Sequence, residues 1–143
     1  MVIAQPMSLV QQPEPFDDWD WIYEIKHDGF RALAVIEQGQ CRFLSRKKHK
    51  LTGHQDLSSG IGARGECGVL DGELVVVDHL GRSVFADMVQ WRHPARDLLS
   101  LDGEDLTYLP FLAKGKLKRI LPSRSAHVLY VDHRATTELR SIA

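Results

Sequence analysis

Two short apolar runs rich in β-branched and aromatic residues, each closed by a turn-forming triplet, constrain this chain more than anything else in it. Residues 21–25 (WIYEI) and 30–36 (FRALAVI) are bracketed by His27-Asp28-Gly29 and Gln38-Gly39-Gln40. Runs of this length between glycine-bearing turns read as strands, and a third strand is expected over residues 41–45. After Leu51 the composition loosens to TGHQDLSSGIGARGEC. Each interior glycine costs a helix about 1 kcal/mol against alanine, so a loop or a helical scrap is expected there and a long helix is not. Residues 69–78, VLDGELVVVD, read as a buried strand pair or one bent strand, and residues 83–85 are candidates to pair back on it.

Further along, residues 86–99 mix their periods and hold Pro94, which predicts at most short helical turns. Leu112, Leu117, Ile120 and Leu121 can share one helical face, so a helix is expected over 112–121, ended by Pro122. A closing strand is expected at 127–131 and the start of a helix at 136–143. The first 18 residues carry three of the six prolines and read as an extended lead-in lying against the body of the domain, which occupies 19–143. The fold class expected is α+β, antiparallel sheets with flanking helices.

At 143 residues, 43% hydrophobic and 26% charged, the chain has the make-up of one soluble domain able to bury a core without metal or disulfides. No stretch approaches the roughly 20 apolar residues of a membrane span, and the start, MVIAQPMSLVQQPEPF, lacks the pattern of a targeting signal. No membrane partner and a cytoplasmic address are expected. Cys41 and Cys67 lack the spacing of a zinc site and read as reduced, structural thiols. The formal charge of -1 predicts no polyanion partner by itself, so local clusters must carry that inference. One is Arg42, Arg46, Lys47, Lys48 and Lys50; a second is Lys114, Lys116, Lys118 and Arg119. Each is also consistent with an ordinary solvated face.

The segment YEIKHDGFR, residues 23–31, puts a lysine at a strand end with a glycine turn and an arginine directly after it. A lysine amine attacks phosphorus only when unprotonated, and a partly buried position near other cations would favour that state. Gly29 would allow close approach to a ligand or a positive φ, and Arg31 would offer a planar fork to phosphate or ribose oxygens. Lys26-x-Asp28-Gly29-x-Arg31 resembles the signature of the nucleotidyltransferases that comprise ATP-dependent DNA ligases, RNA ligases and mRNA capping enzymes. Four fixed positions match a given window by chance on the order of once in 10^5. Ser45-Arg46 after a strand is similar to the family's second motif, and Asp71-Gly72-Glu73 to its third.

This resemblance implies that Lys26 is the nucleophile, that Glu24, Ile25, Arg31, Arg46 and Glu73 bind the nucleotide, and that Asp28, Gly29, Asp71 and Gly72 support the motifs. Glu73 would also assist a metal, and Arg42, Lys47, Lys48 and Lys50 would face DNA. The implied cofactors are ATP and Mg2+, and the implied substrate is nicked duplex DNA. The flanks, Pro6-Met7, Trp21, residues 31–34, 98–106 and 130–133, resemble the short bacterial break-repair ligases.

The resemblance spans roughly residues 6–133, the first two thirds of such a domain. Arg96 stands where the family carries an aromatic residue against adenine. The Glu-Gly-(Val/Ile)-Val motif is absent, so none of the Lys-x-Lys triplets in the chain follows one, and no OB-fold domain is expected within the chain. A chain or domain supplying those motifs is therefore an expected partner. A degenerate or split binding module and an RNA ligase or capping-type enzyme stay open as alternatives.

Overall fold

The computed structural model describes residues 5–6, 8, 10–14, 16–62, 67–78, 80, 82, 91–110, 117–118, 121 and 128–135. Its strands are β1 (Ile22–Glu24), β2 (Phe30–Glu37), β3 (Gln40–Ser45), β4 (Lys50–Leu51), β5 (Gly68–Val76), β6 (Trp91–Leu101), β7 (Glu104–Asp105), β8 (Val128–Tyr130) and β9 (His133–Ala135). One helix of two turns, α1 (Gln55–Gly62), joins β4 to β5. The result is a mostly antiparallel seven-stranded sheet, ordered β4-β3-β2-β5-β6-β7 with β8 alongside β6, and a separate two-stranded sheet of β1 and β9. The β6–β8 pairing is parallel.

Turn chemistry explains the tightest connections. Gln38 and Gly39, at φ 50° and 75°, link β2 to β3. Asp102 and Gly103, at 48° and 87°, link β6 to β7 in the same way. Two successive positive φ values make the two-residue hairpin turn whose twist matches that of the flanking strands.

Alternation along the strands divides the core between the two faces of the sheet. Ala32, Ala34 and Ile36 of β2 share one face with Phe43, Leu70 and Leu98, and α1 covers it with Leu57 and Ile61. Leu33 and Val35 lie on the other face, where Leu44, Val69 and Leu99 complete a smaller cluster. Burying a leucine in this way contributes about 1.5–3 kcal/mol. Cys41 packs against the larger cluster, and burial pushes its thiol pKa up to about 12.

Residues 91–101 differ from expectation: where short helical turns were predicted, β6 runs for eleven residues. Pro94 is accommodated because the β5–β6 ladder goes from Gly72↔Ala95 to Val75↔Arg92 and Pro94 falls in the gap, where no amide donor is needed. Residues 69–78 resolve into the single strand β5, whose register against β6 shifts at Val69/Leu70 and at Asp71/Gly72. The expected closing strand is β8, and the glycine-rich stretch supplies the short α1. The predicted pairing of 83–85 and helix at 136–143 lie outside the described residues, as does most of 112–121.

Gly29 ties the turn before β2 to β5. A β-carbon there would sit 2.3 Å from the Leu74 carbonyl oxygen and 2.6 Å from Val75 Cγ1. The glycine is required by this close approach, not by a positive φ. Gly29→Ala should therefore lower the unfolding free energy by about 1–3 kcal/mol, read as a drop in urea midpoint at unchanged m-value.

Candidate functional site

Antiparallel pairing gathers the three motifs at one end of the large sheet. Arg31 lies directly opposite Glu73 in the β2–β5 register, and Ala32 lies opposite Ser45 in the β2–β3 register. The loop from Ile25 to Gly29, the β3–β4 turn carrying Arg46, and the Asp71-Gly72-Glu73 stretch of β5 consequently share that end. Among the described residues, it is the only place where positions 26, 31, 46 and 73 converge.

Arg31, Asp71 and Glu73 share the face of the smaller core cluster. The Arg31 guanidinium holds Asp71 by two parallel bonds, Nε donating to Oδ1 at 3.1 Å and Nη2 to Oδ2 at 2.6 Å. The side chains are 19% and 6% exposed, so this fork is largely screened from water. Asp97 of β6 stands opposite Asp71 and is itself buried, with Oδ1 accepting the Leu98 amide. Hydrogen bonding to Asp71 raises the Arg31 pKa, burial opposes that, and the charges of Asp71, Glu73 and Asp97 add to the rise. The fork that the sequence reading assigned to phosphate or ribose is thus occupied by Asp71.

Lys26 departs from the expected environment. Its side chain is 80% exposed rather than partly buried, and Nζ is ion-paired with Asp28 instead of lying among cations. This pairing holds the Asp28 carboxyl below its ordinary pKa. The physical reason is local: β1 ends at Glu24, and Lys26 stands two residues past it, on an exposed loop rather than on a strand. Glu24 is half-buried beside His133 of β9. Its charge lies close enough to Tyr130 to reinforce the rise in phenol pKa that burial mainly causes. Ile25 is 71% exposed.

The basic hairpin divides into two parts. Arg46, Lys47, Lys48 and Lys50 are exposed around a turn in which Lys48 adopts φ 62° and the Lys48 amide donates to the Ser45 carbonyl at 2.8 Å. Arg42 stands apart, ion-paired with Glu37 near the opposite end of the sheet. Glu37 lies six residues from Arg31 along β2, roughly 20 Å at strand rise. A cleft of about 480 Å³ opens beside Arg42, between the edge of β3 and α1, and Lys50, Thr52, His54 and Ser59 contribute to its lining. It does not contain Lys26. Of the second cluster, Lys118 is described, lying 5.1 Å from the centre of the Tyr130 ring. The side chain of Arg96 lies outside the described residues.

No group of three His, Cys, Asp or Glu side chains suited to a metal occurs among the described residues. None of the helices they form is long and apolar enough to cross a membrane. The sequence reading missed the Arg31–Asp71 fork, although alternation would have placed positions 31, 33, 71 and 73 on common faces.

Breaking one side of this largely buried pair strands the other charge. Arg31→Ala should cost about 3 kcal/mol of stability, whereas Lys26→Ala, at an exposed pair, should stay within roughly 0.5 kcal/mol of the parent. Parallel denaturant titrations compare them, and equal effects would show that the fork carries no structural role.

The profile of the family described as ATP dependent DNA ligase domain matches residues 1–143. The chain is 35% identical over 108 residues to the multifunctional non-homologous end joining protein LigD of Pseudomonas aeruginosa, covering 73% of this chain and 12% of that protein. It is 29% identical over 109 residues to the LigD of Mycolicibacterium smegmatis, covering 71% and 14%. In three dimensions it is similar to the ligase domain of M. tuberculosis LigD, with a TM-score of 0.66 at 26% identity over 85% of this chain and 43% of that one. A mycobacterial DNA ligase D complexed with ATP and MES shares the fold, at a TM-score of 0.61 and 23% identity. The chain therefore spans about an eighth of its curated relatives and less than half of the solved ligase domains.

Proposed function

Because the chain belongs to the ATP dependent DNA ligase domain family, we propose that it forms the adenylation end of a bacterial break-repair ligase, with Lys26 the residue that takes AMP from ATP. The observation carrying this reading is the convergence of the Lys26–Arg31 segment, Arg46 and Glu73 at one end of the sheet. In the first step the Lys26 amine, having left Asp28 and lost its proton to solvent, forms an N–P bond to the α-phosphate. The α–β anhydride bond breaks and pyrophosphate leaves. AMP then passes to the 5′-phosphate at a DNA nick.

The surrounding residues have distinct parts in this proposal. Glu24 and Ile25 border the base, and Arg46 meets phosphate. Arg31, anchored to Asp71 through Nε and Nη2, offers Nη1 to the nucleotide. Asp28 pairs with Lys26 before reaction, Gly29 keeps the backbone of its turn close-packed against β5, and Gly72 supports its motif. Mg2+ fits a site with few protein ligands, because it usually keeps several waters and binds through one or two carboxylates plus substrate phosphates. Glu73 is the carboxylate here that would hold it, and the ion would neutralise charge on the reacting phosphate.

The exposure of Lys26 favours a partner chain or domain that closes over this end and brings the Glu-Gly-(Val/Ile)-Val and Lys-x-Lys motifs to it. Incubation with α-labelled ATP and Mg2+ should label the protein, and Lys26→Ala should abolish the label while the fold persists. Folded protein that stays unlabelled even when a chain bearing those motifs is added would overturn the assignment. Label appearing only on that addition would identify a split enzyme.

Arg46, Lys47, Lys48 and Lys50 are the proposed DNA contacts, with Arg42 a weaker one because Glu37 neutralises it. Duplex affinity should fall with salt at a log-log slope of about -0.9 per neutralised phosphate. Lys47→Ala and Lys50→Ala should each flatten that slope by about 0.9, and Arg42→Ala by less. Slopes unchanged in the lysine variants would move DNA to another surface.

A further inference from the structure

The cleft of about 480 Å³ between β3 and α1 has the size of a small-molecule site, and no step of the proposed adenylation uses it. Gln38, Gln40 and Gln55 all line it. Gln38 and Gln40 flank Gly39 in the β2–β3 turn, where Gln38 is set at φ 50°, and Gln55 is the first residue of α1. Their amides therefore reach the cleft from two separate elements. His54 contributes a ring that stands perpendicular to that of Phe43, with centroids 6.2 Å apart. The charges in the lining nearly cancel. Glu37 and Arg42 are ion-paired with each other, burial raises the Cys41 pKa to about 12, and burial lowers that of His54. Lys50 supplies the net positive charge, and it also belongs to the basic β3–β4 turn.

A ligand for such a cleft carries one compact negative charge and a planar body rich in neighbouring donors and acceptors. A glutamine amide donates and accepts side by side, which matches N7 and the N6 amino group of adenine. Guanine is instead the choice of an arginine fork, and here Arg42 is engaged by Glu37. Histidine rings are among those on which unstacked bases lie. We propose that this cleft binds an adenine nucleotide, its base against the glutamine amides and its phosphate at Lys50. Because Lys50 is shared with the basic turn, a DNA strand whose phosphates follow Arg46, Lys47 and Lys48 would deliver an unpaired nucleotide into the cleft. Free AMP offers the same chemistry from solution. Delivery by a strand rests on the proposed DNA contacts, whereas recognition of the nucleotide does not.

Fluorescein-labelled hairpin duplexes that end blunt, in one unpaired dA or in one unpaired dC serve as probes, titrated with the full chain and read by anisotropy. The dA end should bind about fivefold tighter than the other two. The double variant Gln40→Ala with Gln55→Ala should erase that preference and keep the blunt-end affinity. Both positions are exposed, and circular dichroism checks that the fold survives. In parallel, AMP is added to 15N-labelled protein, and the side-chain amide signals of Gln40 and Gln55 should shift. Shifted amides without a dA preference would make free nucleotide the source. Shifted amides with no duplex bound at all would sink the DNA contacts of the basic turn and leave this site standing. Equal affinity for all three duplexes together with unmoved amides would overturn the proposal. So would a dA preference that survives in the double variant, since the base would then be read elsewhere.

Discussion

The fork between Arg31 and Asp71 organises the end of the sheet where the three sequence motifs meet. It joins β2 to β5 on the face of the smaller core cluster, where Asp97 and Glu73 bring further negative charge close by. A single guanidinium among several carboxylates is stable only because it is charged at any accessible pH and makes two directional bonds at once. Next to it, the backbone at Gly29 presses against Leu74 and Val75. Together these contacts set where the Lys26 loop leaves the sheet.

Function in such a site depends on separating what must be rigid from what must move. Arg31 and Glu73 lie on paired strands, so their backbones have little freedom. Lys26 lies on an exposed loop, and its ion pair with Asp28 is the kind of solvent-screened contact that contributes little to stability. In the proposed reaction the Lys26 amine exchanges an ion pair for a phosphorus atom, and it gains from being weakly held. The basic turn is similar: its charges are displayed on a tight hairpin, positioned by β3 and β4 but not buried by them.

Charge is partitioned along the chain in a way that net charge conceals. The segment at 14–21 is wholly acidic among its ionisable groups, and the β3–β4 turn is basic. The charged side chains of both are exposed. The DNA contacts proposed above fall on the basic turn, well away in sequence from the acidic segment.

Much of this was legible in residue order. The Gln38-Gly39 turn, the flanking strands and β5 follow from local rules, because positive φ at a hairpin and alternation on a sheet act over a few residues. The Lys26 to Arg31 motif, with Arg46 and Glu73, identified the family from side chains alone. Three dimensions decided the rest. Pro94 argued for helical turns until a gap in the β5–β6 ladder gave it a place within a strand. Arg31 looked open to a ligand until Asp71, 40 residues away, took its fork, and Lys26 looked half-buried until the sheet left its loop in water. Local pattern determines which backbone a segment prefers, but burial and ion pairing are settled between segments distant in sequence, and only the folded chain brings those segments together.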